Sequence, residues 1–175
     1  MALAVAAATL QAGANGKQQV QAPEYDFKAT ALLNFARFVE WPARAFEKEN
    51  SAFVIGIVGD DPFTKGELEK ALKGKTVNNR PFKIEKANNP ANLKGCHLVF
   101  IPSTEDGRLE DILDSFKGTP TLTVAEKKGS AGKGAAFNIL IKDKKPFLEL
   151  NNKVAEAAGL KVDPRLRDQC ETVDP

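Results

Sequence analysis

The chain has 175 residues but only one histidine, two cysteines and one tryptophan, and its charges nearly cancel. Each shortage excludes some chemistry. His97 is the sole imidazole, no second histidine can serve as a base elsewhere, and no nucleophile elbow is present, which argues against a hydrolase. Cys96 adjoins His97, but neighbours on a strand point to opposite faces, so they do not form a Cys–His pair. Two cysteines and one histidine without CxxC spacing are a poor zinc set, so no metal is assigned. A net charge of +2 from 25 basic and 23 acidic residues, interleaved along the chain, gives no single-sign field, so nucleic acid is not an expected partner. No apolar run of eighteen residues follows the leader, which predicts a soluble mature chain.

What is present starts with residues 2–14, ALAVAAATLQAGA, apolar and small, with Ala12-Gly13-Ala14 as an A-x-A-like cleavage site. No cation precedes Lys17, so residues 1–14 read as a truncated export signal. Residues 15–23 read as a polar linker, 24–170 as one folded domain and 171–175 as a tail. In an exported protein the two cysteines suit one disulfide, Cys96–Cys170, which would close a long loop and contribute roughly 4–5 kcal/mol in the chain-entropy model.

The strongest helical pattern is YDFKATALLNFARFVEWP, from Tyr25 to Pro42. Phe27, Ala31, Phe35 and Phe38 fall on one helical face, widened by Leu32 and Val39. Pro23 is expected to precede the first turn and Pro42 to stop the helix. Beyond it, Phe53–Val58 is an apolar, β-branched run, the mark of a strand buried on both faces. Asp61 and Pro62 suit a helix start, with the helix running to about Leu72. Phe82 and Ile84 alternate with Lys83 and Glu85, predicting an edge strand. Gly95–Ile101 and Thr121–Val124 are two further buried strands, separated by a helix over 105–116 capped by Ser103 or Thr104. The C-terminal third predicts a hairpin (Ala136–Ile141 with Phe147–Leu150) and a short helix capped by Asn151 or Asn152. The order predicts an α/β fold: a single-domain, mainly parallel open sheet flanked by helices, Rossmann-like and three-layered.

Gly129-Ser130-Ala131-Gly132-Lys133-Gly134 is a superficial phosphate-loop look-alike. Its first glycine position is Lys127, its Ser/Thr position is Gly134, and it leads into a strand, so it reads as a connector. Asp60 and Asp61 follow one strand and Ser103 follows another, the positions where open α/β sheets place their sites. With Glu40, Trp41 and Arg80 they form the candidate ligand-pocket set. Phe147, Leu148, Leu160 and Leu166, with Glu149, form the candidate partner-binding set; an apolar patch there implies a protein partner.

Several motifs, in order, resemble one family. They are Asn34-Phe35-Ala36 with Phe38-Val39-Glu40-Trp41-Pro42, then Gly59-Asp60-Asp61-Pro62-Phe63. Gly74-Lys75-Thr76-Val77-Asn78-Asn79-Arg80-Pro81 follows, then Gly95-Cys96-His97, Leu122-Thr123-Val124 and Phe147-Leu148-Glu149-Leu150-Asn151. Together, over about residues 25–167, they resemble the YfiR-like family of small periplasmic regulators. The resemblance implies an exported, non-enzymatic α/β protein that often dimerises. It also implies a partner, the periplasmic domain of a membrane-bound diguanylate cyclase or a similar sensor, held inactive when bound. No catalytic residue and no cofactor is implied. Asn79 replaces the usual glycine, and the chain also departs at Asp168-Gln169-Cys170 and in its lysine-rich 126–134 loop. The alternative reading is a periplasmic small-ligand-binding module with its site at the C-terminal strand ends.

Overall fold

The computed structural model describes residues 18–174, so the signal-like leader and the start of the expected linker lie outside the described residues. Helix α1 spans Gln18–Phe38 and therefore includes Pro23 rather than following it. Its most buried stripe carries Lys28, Leu32, Phe35 and Ala36, while Phe27 and Phe38 sit half-buried at the rim. After β1 (Val39–Glu40) come β2 (Phe53–Val58), α2 (Glu67–Leu72), β3 (Thr76–Val77) and β4 (Arg80–Ala87). Next are β5 (Leu98–Ile101), α3 (Leu109–Ser115), β6 (Leu122–Ala125), β7 (Phe137–Lys142) and β8 (Lys145–Leu150). The chain closes with α4 (Asn152–Ala157), β9 (Lys161–Val162), α5 (Pro164–Arg167) and β10 (Glu171–Thr172).

Eight strands form one sheet in the order β10-β8-β7-β6-β5-β2-β4-β3, and β1 pairs separately with β9. The five strands from β4 to β7 run parallel, as their apolar runs predict. β7 and β8 form the expected hairpin, turning on Asp143 and Lys144, both at positive φ, the conformation a two-residue hairpin turn requires. One face of the sheet packs Phe53, Phe100 and Phe137 against α1 and α2. The other packs Val58, Val99 and Ile101 against α3.

Several local expectations are corrected. The cysteines are not bonded. Cys96 is buried on the α3 side of the sheet, whereas Cys170 packs against the α1 side, so the sheet itself separates them. Asp61 does not cap a helix: its Oδ1 accepts the Phe63 N–H at 2.9 Å in a local turn, and α2 begins later, after Gly66 in the left-handed region. Ser103–Arg108 is a 3-10 turn led by Pro102 with no side-chain cap, and α3 follows it. β4 is an edge strand except at Arg80 and Pro81, which β3 covers. The expected tail supplies β10, which pairs in parallel with Glu149 and Leu150 of β8. Asn151 does cap α4, its side chain accepting from the Val154 N–H at 3.3 Å.

Candidate functional site

From β2 the chain moves to β4 on one side, then returns past β2 to β5 on the other. The carboxyl ends of β2 and β5 therefore border the crevice where open α/β sheets bind ligands. A cleft of about 510 Å³ opens there, lined by Asp60, Asp61 and Ser103 together with Tyr25, Glu67 and Glu126.

Glu126 directly follows β6 and anchors the floor. Its Oε2 meets Lys28 Nζ at 2.7 Å, and its Oε1 accepts the Ser103 N–H at 2.7 Å. Lys28 also pairs with Glu24 one turn earlier and lies 4.6 Å from the centre of the Tyr25 ring. Both Lys28 and Glu126 are buried, and a buried ion pair of this kind persists only where further hydrogen bonds satisfy it. Burial, and then the nearby carboxylates of Glu126, Glu24 and Glu67, hold the Tyr25 phenol well above its usual range. Asp61 reaches Lys86 of β4 at 2.5 Å. Gly59, at φ +72°, leaves room for the Glu105 carboxylate, which lies 2.0 Å from where a Cβ would be.

The opposite end of the sheet holds a different cluster. His97 is stacked between Phe46 (4.4 Å) and Phe53 (5.0 Å). Its Nδ1 accepts the Val54 N–H at 3.0 Å, which leaves the Nε2–H to donate to the Ala45 carbonyl at 3.0 Å. Burial lowers its pKa below the ordinary histidine value, and Arg80 adds to the effect. The Trp41 indole donates to the His97 carbonyl and meets Phe53 edge-on at 4.8 Å. The Arg80 guanidinium lies 3.9 Å over the Phe46 ring while donating to the carbonyls of Lys48 and Ser51.

The candidate ligand set is thus divided. Asp60, Asp61 and Ser103 share the switch-point cleft, while Trp41 and Arg80 belong to the aromatic stack at the other strand ends. Glu40 is exposed on β1, opposite Lys161, and borders a separate groove with Arg37 and Arg167. The partner-binding set divides too. Leu160 and Leu166 are core residues, 1% and 4% exposed, and offer no surface. Phe147 is half-buried with Lys142 Nζ at 5.4 Å, and Glu149 accepts from the Asn138 amide at 2.9 Å. Leu148 borders an apolar groove of about 270 Å³ with Phe27 and Phe38.

Sequence reasoning missed Lys28, Glu67 and Glu126. A lysine inside the apolar stripe of α1 was a readable signal, and Glu126 follows β6 just as Asp60 follows β2. Among the described residues no group of three or more histidine, cysteine or acidic side chains is placed to hold a metal ion. No described helix is long and apolar enough to cross a membrane.

Among solved structures, a conserved domain protein from Vibrio cholerae is similar with a TM-score of 0.53 and 10% identity over 70% of this chain. The ABC domain in complex with L-Trp from Streptococcus pneumonia gives a TM-score of 0.49 and 8% identity over 71% of this chain. The chain spans 55% of the length of each, and the first likeness concerns the fold alone. No curated protein matches the chain. The family model described as DUF4154, YfiR/HmsC-like, matches residues 25–168, and the chain belongs to that family.

Proposed function

We propose that the protein is an exported, non-enzymatic signalling regulator that binds the periplasmic sensor domain of a membrane-bound diguanylate cyclase, or a similar sensor, and holds it inactive. The observation that carries this reading is the family match across residues 25–168, nearly all of the folded domain. The site chemistry is consistent with it. At the strand ends where an α/β enzyme works, Glu126 is bound by Lys28 and by the Ser103 backbone N–H. Inhibition then works through differential affinity: the regulator binds the inactive sensor conformation more tightly and shifts the population toward it. Phe147, Leu148 and the apolar groove beside α1 are the docking surface in this reading.

Two measurements test it. The mature chain is used to capture membrane sensors, and cyclic di-GMP is measured in a strain lacking the gene. A captured sensor together with raised cyclic di-GMP supports the reading. No captured sensor and unchanged cyclic di-GMP sinks it. Leu148→Glu, placed in the groove, is expected to lose capture while the fold is retained by circular dichroism.

A further inference from the structure

The β7–β8 hairpin extends beyond the rest of the sheet. β6 pairs with β7 only at Phe137 and Asn138, and β10 pairs with β8 only at Glu149 and Leu150. From Leu140 to Phe147 the two strands therefore have each other and no further strand. At the end of this arm Lys142 stands directly opposite Lys145, with Lys144 in the turn between them. Like charges in register across a hairpin are destabilising. None of the three lysines has a carboxylate within 4.0 Å among the described residues, and Asp143 is the one acid in the turn. Lys128, also without such a partner, stands at the foot of the arm, where the Lys127 carbonyl accepts from the Asn138 amide at 2.8 Å.

A second observation falls on the same spot. Ile141, 36% exposed, is the one large apolar side chain left exposed among the described residues. It is in register with Pro146 on one side of the arm, whereas Leu140 is in register with Phe147 on the other. The arm is thus convex, apolar on both sides and cationic at its tip. A rigid protein surface would cover one side of such a tip. A fluid layer of anionic head groups surrounds it, pairs with the ammonium groups and takes the apolar side chains between its lipids. Unpaired backbone along the outer edge of β7 needs water, which keeps the arm in the head-group layer and out of the hydrocarbon.

We propose that the tip of the β7–β8 hairpin docks on an anionic phospholipid surface, with Lys142, Lys144 and Lys145 on the lipid phosphates and Ile141 between the head groups. Leu148, paired with Ile139 at the foot of the arm, stays clear of the lipid, so the groove beside α1 remains open to a protein partner.

The test floats the mature chain with vesicles of phosphatidylcholine alone and with vesicles holding one part phosphatidylglycerol to three parts phosphatidylcholine. Binding is expected on the anionic vesicles only, and is expected to fall at about 0.5 M salt, where surface charges are screened. Lys142→Gln, Lys144→Gln and Lys145→Gln combined are expected to weaken partitioning about tenfold or more. Ile141→Ser is expected to weaken it severalfold. Lys73→Gln, Lys75→Gln and Lys94→Gln combined remove the same charge outside the hairpin and are expected to leave binding unchanged. All the substituted side chains are exposed, so the fold is retained. The proposal is overturned if anionic vesicles capture no more protein than neutral ones, if the hairpin triple variant binds them as tightly as wild type, or if the charge-matched control loses as much binding. A hairpin variant that keeps vesicle binding but loses capture of a membrane sensor also overturns it, since the tip then meets protein. The vesicle measurement contains no sensor, so its failure leaves the regulatory reading untouched.

Discussion

The indole Nε1–H of Trp41 donates to the backbone carbonyl of His97 at 3.0 Å, across 56 residues of sequence. This bond fastens the end of α1 to the start of β5, and the same carbonyl accepts the Leu122 N–H of β6 at 2.8 Å. Trp41→Phe keeps a ring against Phe53 but removes the donor. Urea unfolding is expected to show a loss of about 1–2 kcal/mol, from one hydrogen bond and some lost area. A loss below the error of the extrapolation would mean that the bond contributes nothing.

His97 makes stability pH-dependent in one direction. Its folded pKa lies below the ordinary value, with burial the largest cause, because protonating Nδ1 would set an N–H against the Val54 N–H. The unfolded histidine takes up its proton first, near pH 6.5. The contribution is therefore complete above about pH 6.5 and is lost as the pH falls toward the folded value, by at most about 1.4 kcal/mol per pH unit. Unfolding free energy measured between pH 7.5 and pH 4.5 for wild type and for His97→Gln isolates it. The difference between the two is expected to shrink on acidification, and parallel curves would contradict the assignment.

Lys28 and Glu126 form a buried pair in which neither partner tolerates being left alone. Lys28→Met strands the Glu126 carboxylate and is expected to cost about 3–5 kcal/mol. Lys28→Met combined with Glu126→Gln is expected to cost less than the sum of the two single changes, since the amide still accepts the Ser103 N–H. Denaturant curves for the two single variants and the double variant form the cycle, and simple additivity would show that the pair is not coupled.

Both cysteines are expected to behave as inert thiols. Burial first, then the Glu85 carboxylate, pushes Cys96 up to about 12, and burial pushes Cys170 up to about 11. The thiolate is the reactive form, so a thiol reagent at pH 8 should label the native chain slowly and both sites promptly in denaturant. Mobility without reductant should match mobility with it. A faster-running oxidised band would establish the bridge that the sheet geometry denies.

The chain's local pattern determined the elements and their class. Apolar β-branched runs specified β2, β5 and β6, helical periodicity specified α1, and the strand–helix order specified an open, mostly parallel sheet. Local polarity also put Asp60, Asp61 and Ser103 at strand ends, and they do share one cleft. Tertiary structure decided everything that depends on which face or which end a residue meets. Period-two alternation says that Cys96 and His97 diverge, but not that Cys170 lies on the far side of the sheet from Cys96. Nothing local marks Lys28 and Glu126 as partners: Glu24 is a counter-charge within α1, but Glu126, 98 residues away, becomes one only when α1 packs over the sheet. The same holds for Trp41. The pattern placed it at the helix stop, whereas α1 ends at Phe38 and β1 intervenes, and its role was fixed when docking set the indole donor beside the His97 carbonyl, which also accepts the Leu122 N–H. Burying such a donor is unfavourable unless it is paired, and the fold supplied the carbonyl of His97.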